Sequence, residues 1–139
     1  MFKSITLASV CAGAVAIAGC ATGSGYEASE AVVAELAKYE KTGTTDSCLP
    51  LRTIDTIKPI DDRNFLVKTR TGKLYLNELS SSCSGADRSQ NRLQYTLSQS
   101  TLCQNEIIRV VDNLNGFTVG SCGLNRFQEV TRKTEVASK

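Results

Sequence analysis

Four cysteines, Cys48, Cys83, Cys103 and Cys122, are spread widely through a chain of 139 residues, with no Cys-x-x-Cys among them. An even set at such spacing reads as a disulfide framework, whereas a structural zinc site would show close pairs. Two crosslinks constrain a fold strongly, because each requires two distant points of the chain to meet within about 7 Å. They also matter energetically, since the core of a domain this small is marginal on its own.

Two further cysteines lie near the start and have a different character. Cys20 ends the run Ile17-Ala18-Gly19-Cys20, which follows Met1-Phe2-Lys3 and an apolar segment from Ile5 to Ala18. The segment is short for a membrane span, which needs about 20 residues, and it suits the apolar region of a secretory signal. The four residues ending in Cys20 resemble the lipobox of bacterial lipoproteins. That resemblance implies a diacylglyceryl group on the Cys20 thiol, cleavage before Cys20, and acylation (palmitate or a similar chain) of the new amino terminus. Several acyl chains on one residue anchor a protein stably, where one chain holds only marginally. Ala21, in place of an Asp, implies sorting to the outer membrane, with the domain in the periplasm. The alternative is an ordinary signal peptide cut after Ala16 or Ala18. In either case Cys11 is discarded with the signal, which is residues 1–19 in the lipoprotein reading and leaves Cys20 a chance thiol in the other. Export to an oxidising compartment lets Cys48, Cys83, Cys103 and Cys122 pair.

Composition removes several function classes. The net charge of +2 falls toward zero once Lys3 leaves, so there is no basic stripe to meet nucleic-acid phosphates. The chain has no histidine, the commonest general base and metal ligand, so Ser-His and Cys-His nucleophile pairs are excluded. No cofactor or metal is expected, and the chain reads as non-enzymatic.

Residues 20–26 read as a flexible tether, through Ala21-Thr22-Gly23-Ser24-Gly25. Residues 27–43 read as a helix, running from Glu27 to Lys41 with Gly43 as its stop. Ala28, Val32, Leu36 and Tyr39 form its narrow stripe, which offers a partner-binding amphipathic helix or, the favoured reading, packs on the domain or serves as a stalk. Residues 48–131 then turn to β. Six strands are predicted over Leu51–Ile57, Phe65–Arg70, Lys73–Leu79, Arg92–Ser98, Glu106–Asp112 and Arg126–Thr131. The pairs Ile107-Ile108 and Val110-Val111 suggest that the fifth is buried on both faces. Asn113 to Gly123 reads as a loop and residues 132–139 as a flexible tail. The fold class is therefore mainly β: a small antiparallel six-strand meander or partly closed barrel, with one N-terminal helix and two disulfides.

A meander alternates strand ends, and this predicts the crosslinks. Cys48 and Cys103 precede the first and fifth strands at one end. Cys83 follows the third strand and Cys122 precedes the sixth, at the other end. The expected pairs are Cys48–Cys103 and Cys83–Cys122.

The ordered set Asp46-Ser47-Cys48-Leu49-Pro50, Asp61-Asp62-Arg63, Leu74-Tyr75-Leu76-Asn77, Cys83, Leu102-Cys103, Glu106-Ile107-Ile108 and Cys122-Gly123-Leu124-Asn125-Arg126-Phe127 resembles a family of small exported proteobacterial proteins. Its members carry only an unknown-function label. The resemblance spans roughly Glu35 to Val130 and implies an exported, often lipid-anchored domain, with no activity or ligand to transfer.

Candidate chemistry is sparse. Asp61 and Asp62 beside Arg63 offer a paired acid site or a cation ligand, but such residues also suit a solvated hairpin turn, the favoured reading. Lys73, Tyr75 and Asn77 offer a ligand-facing polar row, or else the ordinary outer face of a strand. Ser80-Ser81-Ser82 lacks a nucleophile elbow and reads as loop. Arg126 beside Phe127 offers a contact for an anionic partner or, the favoured reading, one half of an inter-strand ion pair. The expected role is partner binding or envelope assembly, with an envelope protein as partner and the membrane engaged through Cys20. A small-ligand-binding barrel is the alternative, and a carboxylate-based hydrolase a more distant one.

Overall fold

The computed structural model describes residues 25–134. In chain order they form helix α1 (Glu30–Leu36), strand β1 (Tyr39–Asp46), β2 (Cys48–Pro50), a 3-10 turn (Leu51–Thr53), β3 (Ile54–Pro59), β4 (Asn64–Thr69) and β5 (Leu74–Glu78). After these come β6 (Asn91–Gln94), β7 (Thr101–Cys103), β8 (Ile107–Asp112), β9 (Thr118–Gly123) and β10 (Phe127–Arg132). The strands make a five-stranded sheet in the order β1-β10-β5-β4-β3, a three-stranded sheet β6-β8-β9, and a two-stranded ladder β2-β7. All pairings are antiparallel.

The β3-β4-β5 meander follows directly from local chemistry. Thr71-Gly72 closes the β4–β5 hairpin, with Gly72 at φ +87°, where only glycine is unstrained. Alternation in β4 places Phe65, Val67 and Thr69 on one buried face. That face carries the main core: Phe65, Val67, Tyr75 and Phe127 from the large sheet meet Ile108 and Val110 of β8, Leu49 and Leu102 of the ladder, and Cys83. Burial of each large apolar side chain here contributes about 2 kcal/mol. The opposite face of the same sheet is also covered, where Tyr39, Leu76 and Val130 pack with Leu36 of α1.

Several elements depart from expectation. The helix is much shorter than residues 27–43. Ser29 caps its start, and the chain is already in β1 by Tyr39. The reason is tertiary: Tyr39, Thr42, Thr44 and Thr45 are better strand than helix formers, and β10 offers them a ladder. Gly43, expected as the helix stop, instead sits at φ +88° where the β1–β10 register shifts. The narrow stripe does pack on the domain, through Leu36. Neither a six-strand meander nor a closed barrel forms among the described residues. After β5 the chain leaves for the small sheet and returns only as β10, beside β5. The fourth predicted strand ends at Gln94, well short of Ser98. β8 is buried on both faces only at Val110 and Val111, whose side chains alternate across the strand: Val110 joins the main core, Val111 is buried outside it, and at the other end Ile107 is 54% exposed. The predicted tail is partly ordered, since Arg132 belongs to β10 and Lys133 N–H donates to Lys38 O at 2.8 Å.

The Asn113–Gly123 loop of the sequence reading contains β9. Its glycines hid it, and one of them has a packing reason. A Cβ added at Gly120 would run into the Ser84 carbonyl oxygen and lie 3.2 Å from that residue's carbonyl carbon and amide nitrogen. The Cys83–Cys122 disulfide holds both neighbouring segments in place. We therefore expect Gly120→Ala to lower stability by about 2 kcal/mol in a urea titration. An unchanged midpoint would show that the crossing segment yields freely.

Candidate functional site

The β3–β4 turn, residues 60–63, is built by Asp61. Its Oδ1 accepts from the backbone N–H groups of Arg63 at 2.9 Å and Asn64 at 2.6 Å, and from Asn64 Nδ2 at 3.0 Å. This is the local turn expected of Asp and Asn, but it is buried rather than solvated, with Asp61 8% and Asn64 5% exposed, and it uses the Asp61 carboxyl for structure. The same carboxyl also accepts the hydroxyl of Tyr26, to which Asn64 Nδ2 donates at 3.0 Å. The Arg63 guanidinium lies over the Tyr26 ring, 4.8 Å from its centre. Tyr26, read from sequence as the end of a flexible tether, is thus pinned to the domain. Burial, reinforced by the bond to Asp61 and its charge, pushes the Tyr26 hydroxyl up to about 12. The raised value means that the clamp is complete below the ordinary tyrosine range and is lost as pH rises through about 12. Tyr26→Phe should lower stability by about 1 kcal/mol and speed protease cleavage just before Glu27. Unchanged cleavage would show that the clamp does not hold the segment.

Asp62 points elsewhere. It accepts the Ser82 hydroxyl, and its carbonyl accepts Cys83 N–H at 2.7 Å. The two aspartates therefore serve separate structural bonds and form no paired acid site. Ser82 is a loop residue, as read. Tyr75 and Asn77 share a face opposite Leu74 and Leu76, but that face is the main core, where Tyr75 is 5% and Asn77 0% exposed. The polar row and the outer strand face are both corrected by this burial. Asn77 Nδ2 donates to Asn125 O at 2.6 Å and its Oδ1 accepts Asn125 N–H at 2.9 Å, fixing the approach to β10. Lys73 instead pairs with Glu129 at 3.2 Å across the strands. Arg126 forms no ion pair among the described residues; those present are Lys38–Glu35, Lys41–Glu78 and Lys73–Glu129.

The crosslinks join Cys48 to Cys103 and Cys83 to Cys122. The first pair is directly opposed in the β2–β7 ladder, which no meander of six strands contains. The second ties the β5–β6 connection to β9. Two disulfides are the mark of an extracytoplasmic domain. Cys20 and Ala21 lie outside the described residues.

An open groove of about 480 Å³ runs between the free edges of the two larger sheets. Ile54, Ile57 and Pro59 line it from β3, Leu93 from β6 and Tyr95 just beyond, with Arg92 at its side. Sequence reasoning missed this groove because it depends on which strands become edges. Among the described residues no group of three or more His, Cys, Asp or Glu side chains could hold a metal ion. No helix there is long and apolar enough to cross a membrane.

Fold and crosslinks together define a small, disulfide-bonded antiparallel β protein whose N-terminal segment is clamped to the domain. Residues 1–138 match a family of unknown function (DUF6491), and the chain belongs to that family. No curated protein and no solved structure matches it.

Proposed function

We propose that this chain is a lipid-anchored envelope protein that binds a partner polypeptide without catalysing a reaction. The observation that carries the reading is the groove between β3 and β6. Two sheet edges border one groove of mixed lining, in which Asp55, Asn91 and Arg92 stand among the apolar side chains, an arrangement that suits an extended peptide added as a strand. Backbone groups supply the pairing, and the Ile57 and Leu93 side chains supply the apolar contacts.

The anchor reading rests on Ile17-Ala18-Gly19-Cys20, with Ala21 favouring the outer membrane and the disulfides requiring an oxidising compartment. The Tyr26 clamp gives the anchor a geometric meaning. Six residue steps separate Cys20 from Tyr26, so the domain rides within about 20 Å of the acyl chains. Intact mass of the purified chain should show acylation at Cys20, and Cys20→Ala should leave an uncleaved, unacylated precursor.

The test of partner binding is a photo-crosslinking side chain at Ile57, used in living envelopes, with the same group at Thr131 as reference. Ile57 should capture one envelope protein that Thr131 does not. Capture of nothing at Ile57, together with a small molecule co-purifying in the groove, would replace the peptide with a ligand and overturn this reading.

A further inference from the structure

The β8–β9 hairpin ends in Asn113-Leu114-Asn115-Gly116-Phe117, and its two apolar side chains are strongly exposed: Leu114 by 85% and Phe117 by 71%. Their exposure is built in. Asp112 Oδ1 accepts the N–H groups of Leu114 at 2.7 Å and Asn115 at 3.0 Å. Gly116 N–H donates to Asp112 O at 2.8 Å, Asp112 N–H donates to Phe117 O at 2.9 Å, and Gly116 takes φ +72°. A turn with this many internal bonds holds Leu114 and Phe117 outward as fixed features of the surface.

Arginines line one side of the hairpin below the tip, whose turn itself holds Asp112. Arg88, Arg92 and Arg109 are exposed and join no ion pair among the described residues. Arg92 donates to Asn113 Oδ1 at 3.0 Å, at the base of the tip. The β6–β8 register makes Arg92 and Arg109 diagonal neighbours. An apolar finger with free arginines beside it is complementary to an anionic lipid surface: the side chains enter the acyl boundary and the guanidiniums meet headgroup phosphates.

The fold places that finger beside the clamped N-terminal segment. Asn64 at the start of β4 pairs with Glu78 at the end of β5, and Cys83 N–H bonds to Asp62 O, so the 79–90 connection begins at the β3–β4 turn. Asn91 pairs with Asp112, and Asn113 N–H donates to Gln90 O at 3.0 Å, so that connection ends at the hairpin tip. Asn91 Nδ2 donates to Gly85 O at 2.8 Å, two residues from Cys83, so the connection folds back on itself and brings the base of the tip close to the β3–β4 turn that holds Tyr26. We infer that Leu114 and Phe117 insert into the anionic membrane to which the chain is anchored, giving the domain a second contact and a fixed orientation. This inference rests on the anchor proposed at Cys20.

The chain contains no tryptophan, so one substitution provides a unique reporter. The acylated full chain carrying Phe117→Trp is reconstituted into vesicles of phosphatidylethanolamine and phosphatidylglycerol. The expected result is a shift of indole emission to shorter wavelength and quenching by brominated acyl chains. The same chain carrying Arg70→Trp instead, in the β4–β5 turn at the other end of the large sheet, should remain water-exposed and unquenched. Added Arg92→Gln and Arg109→Gln should weaken quenching in the Phe117→Trp chain. Intact mass of the same sample reports acylation separately. An acylated chain whose Phe117→Trp indole stays in water overturns the insertion and leaves the anchor reading intact. A chain with no acyl group overturns the anchor reading, and quenching on added anionic vesicles then still decides insertion. An emission shift on adding envelope proteins but not lipid would assign the finger to a protein and overturn the inference.

Discussion

Replacing Cys83 and Cys122 together by alanine is expected to lower stability by about 4 kcal/mol, enough to leave the domain largely unfolded at physiological temperature. The closed loop is long, with a sequence separation of 39, so the chain-entropy contribution is already close to that figure. Burial adds to it. Cys83 and Cys122 are 0% and 4% exposed within the main core, so alanine also removes two packed sulfurs. The Cys48–Cys103 bond has a similar loop-closure effect, with a separation of 55, but Cys48 is exposed and the β2–β7 ladder independently holds its ends together. The paired alanine variant at 48 and 103 should therefore lose less than the variant at 83 and 122. Urea titrations of both variants under oxidising conditions test the order. Equal midpoints would mean that loop closure alone sets the contribution of each crosslink, and that the packed sulfurs contribute nothing further.

The same comparison shows where the sequence was legible. β3, β4 and β5 were readable because their signals are local: Phe65, Val67 and Thr69 alternate, and Thr71-Gly72 can only turn. The crosslinked pairs were predicted from alternating strand ends, although the chain does not form the meander assumed. They meet because β2 and β7 pair, and because β9 passes beneath Ser84. What escaped was everything that depends on a distant partner. Tyr39–Asp46 carries a partial helical pattern and becomes a strand only because β10 returns to the edge of the large sheet. β9 carries Gly120 and Gly123, and its pairing with β8 outweighs their poor strand propensity. The candidate site divides in the same way. Asp61-Asp62-Arg63-Asn64 is legible as a turn but not as a buried one, because its burial comes with Tyr26, which lies 35 positions from Asp61, and nothing near it announced the clamp.

Asn77 is the residue for which a polar side chain most misled, and it supports the second large effect expected. β5 is buried on both faces, so the apolar Leu76 and the polar Asn77 are both inside. In the register, Asn77 stands between Phe65 and Phe127, each 0% exposed. A leucine there would suit that surrounding by hydrophobicity and approximate size, and apolar packing alone predicts a neutral or stabilising change. Its two bonds to the Asn125 backbone argue the opposite, because leucine removes both and leaves those part-buried groups without the partner that fixes them. We expect Asn77→Leu to cost about 3 kcal/mol in urea titration, with the Asn125 amide proton changing from slow to fast exchange. Asn77→Asp should be no better, since it keeps an acceptor for Asn125 N–H but loses the donor to Asn125 O and buries a charge. A leucine variant as stable as the parent, with Asn125 still protected, would show that β10 finds its place by the apolar pairing of Phe127 alone. Loss of that protection with the β3–β5 meander intact would instead assign Asn77 the task that the sequence concealed: holding the returning strand in register against the centre of the large sheet.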